Sequence, residues 1–320
     1  MRIALITPYG ASHRNGNAHT AARWARFLRE AGHTVRVQVE WDGRAADLML
    51  ALHARRSFAS IRAFADKHPS RPLIVTLTGT DLYRDIQNDA DAQQSLQLAH
   101  RIIVLQERGV DELDPHLAAK TRVVYQSSPD IARASVKPAR FDVLVIGHLR
   151  EEKDPFRAAL ASAHLPASST IQISHFGRSL SDEMTHTAEL AQHKLPRWHW
   201  NGEAPHKTVL KHLARAQLMV ISSVMEGGAN VICEALAADV PVLASHIPGN
   251  IGMLGDDYPG YFPVGDERAL ARLLALAESD PVFYADLVSH ARQRRALMRP
   301  EREASRLRQV VAEFEQTPNP

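Results

Sequence analysis

The chain alternates short apolar runs with stretches whose apolar residues recur every three or four positions. Runs at 2–7, 34–39, 47–52, 72–77, 101–105 and 121–125 predict strands, and periodic stretches at 17–31, 57–67 and 91–99 predict helices between them. Such alternation is the mark of βα units building a parallel sheet. SSPDIARASVKPARF, 127–141, loses the periodicity and carries two prolines, which predicts a linker. FDVLVIGHL then restarts the pattern, with strands expected near 170–175, 217–221, 241–244 and 261–263 and helices from 281 to about 316. The expectation is an α/β protein of two Rossmann-like domains, 1–135 and 136–320, with the C-terminal helices of the second free to pack back on the first. Two such domains facing a central cleft would hold a ligand at the carboxyl ends of their strands.

Charge and cysteine content narrow the partners. There are 38 basic and 36 acidic residues, and the densest basic run, RQRR at 292–295, reads as a solvated helix face rather than a nucleic-acid groove. Cys233 is the sole cysteine, which excludes disulfides within the chain and CxxC metal sites and fits a reducing cytoplasm. MRIALITPYG is apolar for too few residues to be a signal sequence, and no window is long enough to span a membrane, so a cytoplasmic protein with no stable membrane anchor is expected. The first strand runs into TPYGASHRNGN and not into a G-x-G-x-x-G turn, which argues against a nicotinamide dehydrogenase. No D-x-D stands at a strand end, so neither a metal ion nor another cofactor is expected. Oligomeric state leaves no mark.

The segment SSVMEGGANVICEALAADVPVLAS, 222–245, carries the most chemistry. A strand ends near Ile221, Gly227 and Gly228 permit a tight turn, and a helix is expected from Ala229 to Ala238. The first amides of that helix have no partners within it and its dipole favours negative charge, which makes the turn a candidate phosphate cradle. Asn230 and Glu234, four apart, share one helix face, while Val231, Ile232, Ala235 and Leu236 share the apolar one. Glu226 stands just before the turn. Carboxylates cannot ligate a phosphate but accept well from vicinal hydroxyls, so amides and carboxylates together suit a nucleotide-sugar. Taken singly, Glu226 reads as a loop carboxylate favoured by the dipole and Glu234 as an exposed helix residue; it is the two together with the flanking pattern that favour the nucleotide-sugar.

EGGANVICEALAADVPVLAS resembles the E-x7-E segment of retaining GT-B glycosyltransferases of glycosyltransferase family 4. The resemblance implies a GT-B fold, with Glu226 by the donor sugar, the amides of Gly227 and Gly228 with Asn230 at the diphosphate, and Glu234 on the ribose hydroxyls. VIGHLREEKDP, 145–155, resembles the family's G-R-L-x-x-E-K-G, which implies Lys153 on the diphosphate. His148 stands where the family has arginine, and Arg150 is placed either to supply that charge or to make a surface salt bridge. ARFLREAGHTVRV, 25–37, resembles the family's first helix and second strand.

The other half carries four unusual stretches: RNGNAHTAARWARFL (14–28), which includes Asn17, ALHARRS (51–57), LTGTDLYRDI (77–86) and VVYQSSPD (123–130). Arg55 and Arg56, beside His53 and before a helix begun by Ser57, form either a compact site for a small anion or a solvated helix start. Thr78, Gly79, Thr80 and Asp81 add hydroxyls, open backbone and a carboxylate. Thr78 stands where family members carry a histidine, and His53 is the candidate to replace it, a structural histidine being the other reading.

Together these stretches are similar to the selenosugar synthases of selenoneine biosynthesis. That resemblance implies a UDP-sugar donor such as UDP-N-acetylglucosamine, selenophosphate as acceptor, and loss of phosphate to give a 1-selenosugar. Two other functions fit: transfer to a hydroxyl of a lipid, glycan or small metabolite, and a sugar-nucleotide sensor without turnover. A lipid acceptor would want an apolar, basic helix at a membrane, and 17–31 combines Arg23, Arg26 and Arg29 with Trp24, Phe27 and Leu28.

Overall fold

In a computed structural model, residues 1–10, 16–134 and 140–315 are described. Residues 135–139 of the expected linker, and Arg14 and Asn15 of the 14–28 stretch, lie outside them. The chain divides into two compact units. The first holds Met1–Ser127, the short segment Glu226–Asn230 and the chain from Leu297 onward; the second holds Ser128–Met225 and Val231–Ala296.

The first unit contains a six-stranded sheet of β1 (Arg2–Ile6), β2 (Thr34–Gln38), β3 (Leu48–Leu52), β4 (Leu73–Thr76), β5 (Arg101–Val104) and β6 (Thr121–Val123). All neighbours are parallel, in the order β2-β1-β3-β4-β5-β6. β3 and β4 are buried along their whole length, which is why they read as unbroken apolar runs. Successive side chains serve opposite faces. Ala4, Ile6, Met49 and Ala51 pack with Phe64 and Leu96, whereas Ile3, Leu5, Leu48 and Leu50 pack with Trp24, Leu28 and Leu307.

Helix Gly16–Glu30 turns its apolar side into that second cluster, with Trp24, Phe27 and Leu28 buried and Arg26 and Arg29 exposed. Full burial of one such side chain is worth roughly 1.5–3 kcal/mol. The helix closes on Gly32, at φ 88°, with the His33 amide donating to the Leu28 carbonyl. The region expected to be helical from 281 is two helices, Pro281–Arg295 and Pro300–Ala312, because Pro300 cannot donate into a preceding turn. Leu307 and Val311 of the last helix pack on Trp24 and Leu28 within the first unit.

The second unit holds β7 (Asp142–Ile146), β8 (Gln172–Phe176), β9 (Trp198–Trp200), β10 (Leu218–Ile221), β11 (Val242–Ser245) and β12 (Tyr261–Phe262), again all parallel, in the order β12-β11-β10-β7-β8-β9. Five of these match expected runs within two residues at most bounds. β9 does not: its three residues, with Trp198 buried and His199 exposed, are too few to register as a pattern. Strand order reverses between β7 and β10, and the loops leaving their carboxyl ends are where a fold of this type holds its ligand.

Helix Asn230–Ala237 follows β10. It buries Ile232, Cys233, Ala235 and Leu236 but leaves Val231 only partly covered, so Cys233 rather than Val231 completes its packed face. Asp239, at φ 51°, takes the left-handed position beyond it, and the Val240 amide returns to the Ala235 carbonyl.

Candidate functional site

In the second unit the loop after β7 runs through Gly147 and His148 into a short turn, Glu151–Lys153. A Cβ on Gly177 would overlap the Gly147 carbonyl, so the bend after β7 requires glycine opposite it. The His148 Nδ1 accepts from the Arg178 amide at 3.1 Å, which spends this residue on the neighbouring loop. Ser222, just past β10, donates its hydroxyl to the carbonyls of Lys153 (3.1 Å) and Asp154 (2.8 Å), and the Val224 amide donates to the Glu152 carbonyl (3.0 Å). The loops at the strand-order reversal are thereby stitched together around the Lys153 backbone. Arg150 is exposed.

Beneath this loop, His175 is buried and its Nε2 meets the Gly147 carbonyl at 3.0 Å. Burial pushes its imidazole down to about 4, against the upward pull of that hydrogen bond. Glu234, on the helix Asn230–Ala237, is contacted through Oε1 by His206 Nε2 at 2.8 Å. That hydrogen bond raises the His206 imidazole above its ordinary value.

Glu226 to Asn230 group with the first unit. Glu226 is buried, and its carboxylate is among the influences, after burial itself and Glu112, that hold the Tyr83 phenol protonated well above its usual range. Gly227 lies against the Thr78–Gly79 backbone and Gly228 against Leu105; a Cβ on either would collide. The glycine pair is therefore demanded by packing as well as suited to a phosphate. Asn230 Oδ1 accepts from Arg23 Nη2 at 3.3 Å, and Arg23 Nε donates to Glu303 at 2.7 Å. Trp24 Nε1 (2.6 Å) and the Ser127 hydroxyl also donate to the buried Glu303 carboxylate.

The loops after β3 and β4 meet on Asp81. This carboxylate is fully buried; its Oδ2 accepts from the Ala54 amide at 2.9 Å, and its Oδ1 accepts from the Thr78 amide and hydroxyl and the Gly79 amide at 2.9–3.0 Å. Its lone pairs are consumed in holding the two loops together. His53 is also buried and sits at φ 75°, a conformation that costs a residue with a Cβ on the order of 1–3 kcal/mol. Its Nδ1 accepts from the Arg56 amide at 3.3 Å and its Nε2 lies 3.2 Å from the Thr80 hydroxyl.

The two adjacent arginines differ. Arg55 Nε donates to the nearly buried Asp85 at 2.8 Å, which Arg84 also contacts. Burial pushes the Asp85 carboxyl up, and the two guanidinium hydrogen bonds outweigh it, so its net displacement is downward. Arg56 is exposed, with its guanidinium over the Tyr9 ring at 5.3 Å. Ser57 precedes the helix Phe58–Lys67 but does not cap it; its hydroxyl donates to the Leu52 carbonyl. Asn17 is half-buried in the first turn of helix Gly16–Glu30.

His53, Thr78, Gly79, Thr80, Asp81 and Gly227 are thus brought together in the first unit, and Glu234 is joined in the second by His206. Glu303 and His206 carried no signal in the sequence, and Arg23 stood out there only as part of a basic helix face, because each meets its partner only through the fold.

The family model described as glycosyl transferases group 1 matches residues 94–294. Solved structures of similar fold include sucrose-phosphate synthase from Thermosynechococcus elongatus, 17% identical over 98% of both chains with a TM-score of 0.81. The Anabaena protein HepE, in complex with UDP and glucose, is 15% identical over 98% of this chain and 100% of its own, with a TM-score of 0.78. The pneumococcal O-GlcNAc transferase GtfA, in complex with UDP and GlcNAc, is 15% identical over 84% of this chain and 57% of its own, with a TM-score of 0.68. At these identities the likeness is one of fold, and it is to two-sheet GT-B glycosyltransferases. Among the described residues, no helix is long and apolar enough to cross a membrane.

Proposed function

The chain belongs to the group 1 glycosyltransferases, and from that premise we propose that it transfers a sugar from a UDP-sugar, UDP-N-acetylglucosamine in the first instance, to selenophosphate. The observation that carries the donor half is the arrangement Glu226, Gly227-Gly228, helix Asn230–Ala237, Glu234: a buried carboxylate, a side-chain-free turn, a helix start and a second carboxylate one turn along. UDP in the HepE and GtfA structures supports uridine diphosphate as the leaving group. Glu234 takes the ribose hydroxyls, Glu226 lies by the donor sugar, and Lys153 with the helix amides takes the charge that develops on the diphosphate as it departs.

Selenium attacks the anomeric carbon and forms the C–Se bond; the bond from that carbon to the UDP oxygen breaks, and UDP leaves with its electron pair. Water then cleaves the P–Se bond, giving phosphate and a 1-selenosugar. Selenophosphate is a small polyanion already nucleophilic near neutral pH, so anion recognition matters more than a strong base. The exposed Arg56 suits that recognition, with Thr80 as a hydroxyl donor, whereas the Thr78 hydroxyl is already given to Asp81.

A hydroxyl acceptor on a glycan or small metabolite keeps the same donor chemistry. A lipid acceptor is disfavoured by Trp24, Phe27 and Leu28, which are spent on the core of the first unit and leave helix Gly16–Glu30 with a polar outer face. The test is incubation of the pure protein with UDP-N-acetylglucosamine, with and without selenophosphate, following UDP and a selenium-bearing sugar by mass spectrometry. Selenium-dependent UDP release is expected. Release only with a hydroxyl acceptor would replace the selenophosphate reading, and binding of UDP-sugar without release under any condition would make the protein a sensor.

A further inference from the structure

Glu234 keeps 15% of its side chain exposed, and a glutamate has several staggered rotamers from which a contact must select one. A vicinal diol is held better when the carboxylate is fixed before the ligand arrives, because ordering a Glu side chain on binding costs conformational entropy. His206, the first residue of helix His206–Leu213, supplies the constraint: its Nε2 is 2.8 Å from Glu234 Oε1. An ionised carboxylate only accepts, so the imidazole Nε2–H is the donor. Only one carboxylate oxygen is engaged in this bond, and Oε2 is left for hydroxyls. Both residues lie in the second unit, 28 positions apart, so the contact depends on the fold of that unit rather than on a local turn.

We infer that His206 is a positioning residue for the nucleotide, holding Glu234 in the orientation that accepts the ribose hydroxyls and thereby setting the discrimination between ribose and 2′-deoxyribose. The inference rests on the reading of Glu234 as the ribose carboxylate. It assigns His206 no contact with the reacting atoms, so its loss acts on donor binding more than on turnover.

The test is a double-mutant cycle on UDP affinity, measured by calorimetry with UDP and 2′-deoxy-UDP, on His206→Ala, His206→Gln, Glu234→Ala and the His206→Ala/Glu234→Ala pair. Circular dichroism on each variant monitors folding. His206→Ala is expected to weaken UDP roughly tenfold, the scale of one hydrogen bond to a charged group, to narrow the preference over 2′-deoxy-UDP, and to raise the donor KM more than it lowers kcat. Gln presents an N–H in a similar place and should restore most of the affinity. In the Glu234→Ala background the His206 substitution should have no further effect, since a residue that acts through another loses its influence when the other is gone.

Weakened binding in Glu234→Ala with unchanged binding in His206→Ala overturns the inference and leaves the ribose reading standing. An effect of His206→Ala that is equally large without Glu234 also overturns it. Unchanged UDP affinity in Glu234→Ala overturns the ribose reading and this inference with it.

Discussion

Glu303 accepts from Arg23 Nε at 2.7 Å with its own side chain wholly shielded from solvent. A carboxylate in that position is tolerable only because Arg23, the Trp24 indole and the Ser127 hydroxyl all donate to it. Removing one partner of a buried pair leaves the other charge uncompensated, so Glu303→Ala should destabilise the first unit by about 3–5 kcal/mol. Urea denaturation would read this as a lower midpoint with little change in slope. Replacing both charges, Glu303→Leu with Arg23→Met, should recover part of the loss but not all, because Trp24 and Ser127 would still lack their acceptor. A Glu303→Ala cost below about 1 kcal/mol would mean that the pair is solvated in practice.

Gly227 has no room for a side chain. The Thr78 carbonyl and the Gly79 amide occupy the space a methyl group would need, and backbone cannot turn aside as a flexible side chain can. Gly227→Ala is therefore expected to cost about 1–3 kcal/mol through forced displacement of the turn. The displacement also moves the amides proposed to meet the diphosphate, so UDP affinity should fall alongside stability. Thermal unfolding with and without UDP separates the two effects. Stability lost with full UDP affinity retained would show that the glycine serves packing alone.

The strands were readable because parallel strands covered on both faces become unbroken apolar runs, as in LMLAL and LIVT. β9 was not, being three residues long. The break before Pro300 was in view but fell inside a continuous Ala, Leu, Arg and Glu pattern that hid it. The segment 226–234 was legible as a group since its glycines, helix start and carboxylates follow one another along the chain. Partners across the fold were invisible: His206 lies 28 residues from Glu234, Arg23 lies 207 from Asn230 and 280 from Glu303. No periodicity links such pairs. Asp81 shows the same gap in another way, for its sequence context suggested a ligand group, whereas its burial shows a carboxylate whose oxygens hold Ala54, Thr78 and Gly79.

Arg55 and Arg56 are neighbours with different expected phenotypes. Arg56→Ala removes an exposed guanidinium that touches the Tyr9 ring, so it should raise the KM for selenophosphate, on the order of tenfold for one lost charged hydrogen bond, while sparing UDP affinity. Arg55→Ala takes a donor from the nearly buried Asp85, so its first effect should be a lower unfolding midpoint. Steady-state kinetics on both variants, each with a denaturation curve, decide the matter. Equal loss of acceptor and UDP affinity in Arg56→Ala would make that arginine structural as well.

His175 links acid stability to the loop that carries Lys153. Its ring is buried under Gly147, and burial holds its folded-state value near 4, below the 6.5 of a free imidazole. Between those values the unfolded chain binds a proton that the folded chain refuses, so protonation favours unfolding. The contribution of the neutral ring to stability is complete above pH 6.5, falls as pH drops toward 4, and levels off below that. For one proton the slope is about 1.4 kcal/mol per pH unit. Urea midpoints taken across this window should therefore fall more steeply for the native protein than for His175→Gln, which has nothing to titrate there. Because the His175 ring contacts the first glycine of the β7 loop, UDP binding to the folded protein should weaken only as pH approaches 4, where the folded chain itself takes up the proton, and less so in the variant. Parallel slopes for the two proteins would show that other groups, such as the His33 and His100 imidazoles that burial also holds below their ordinary value, govern the fall across this window.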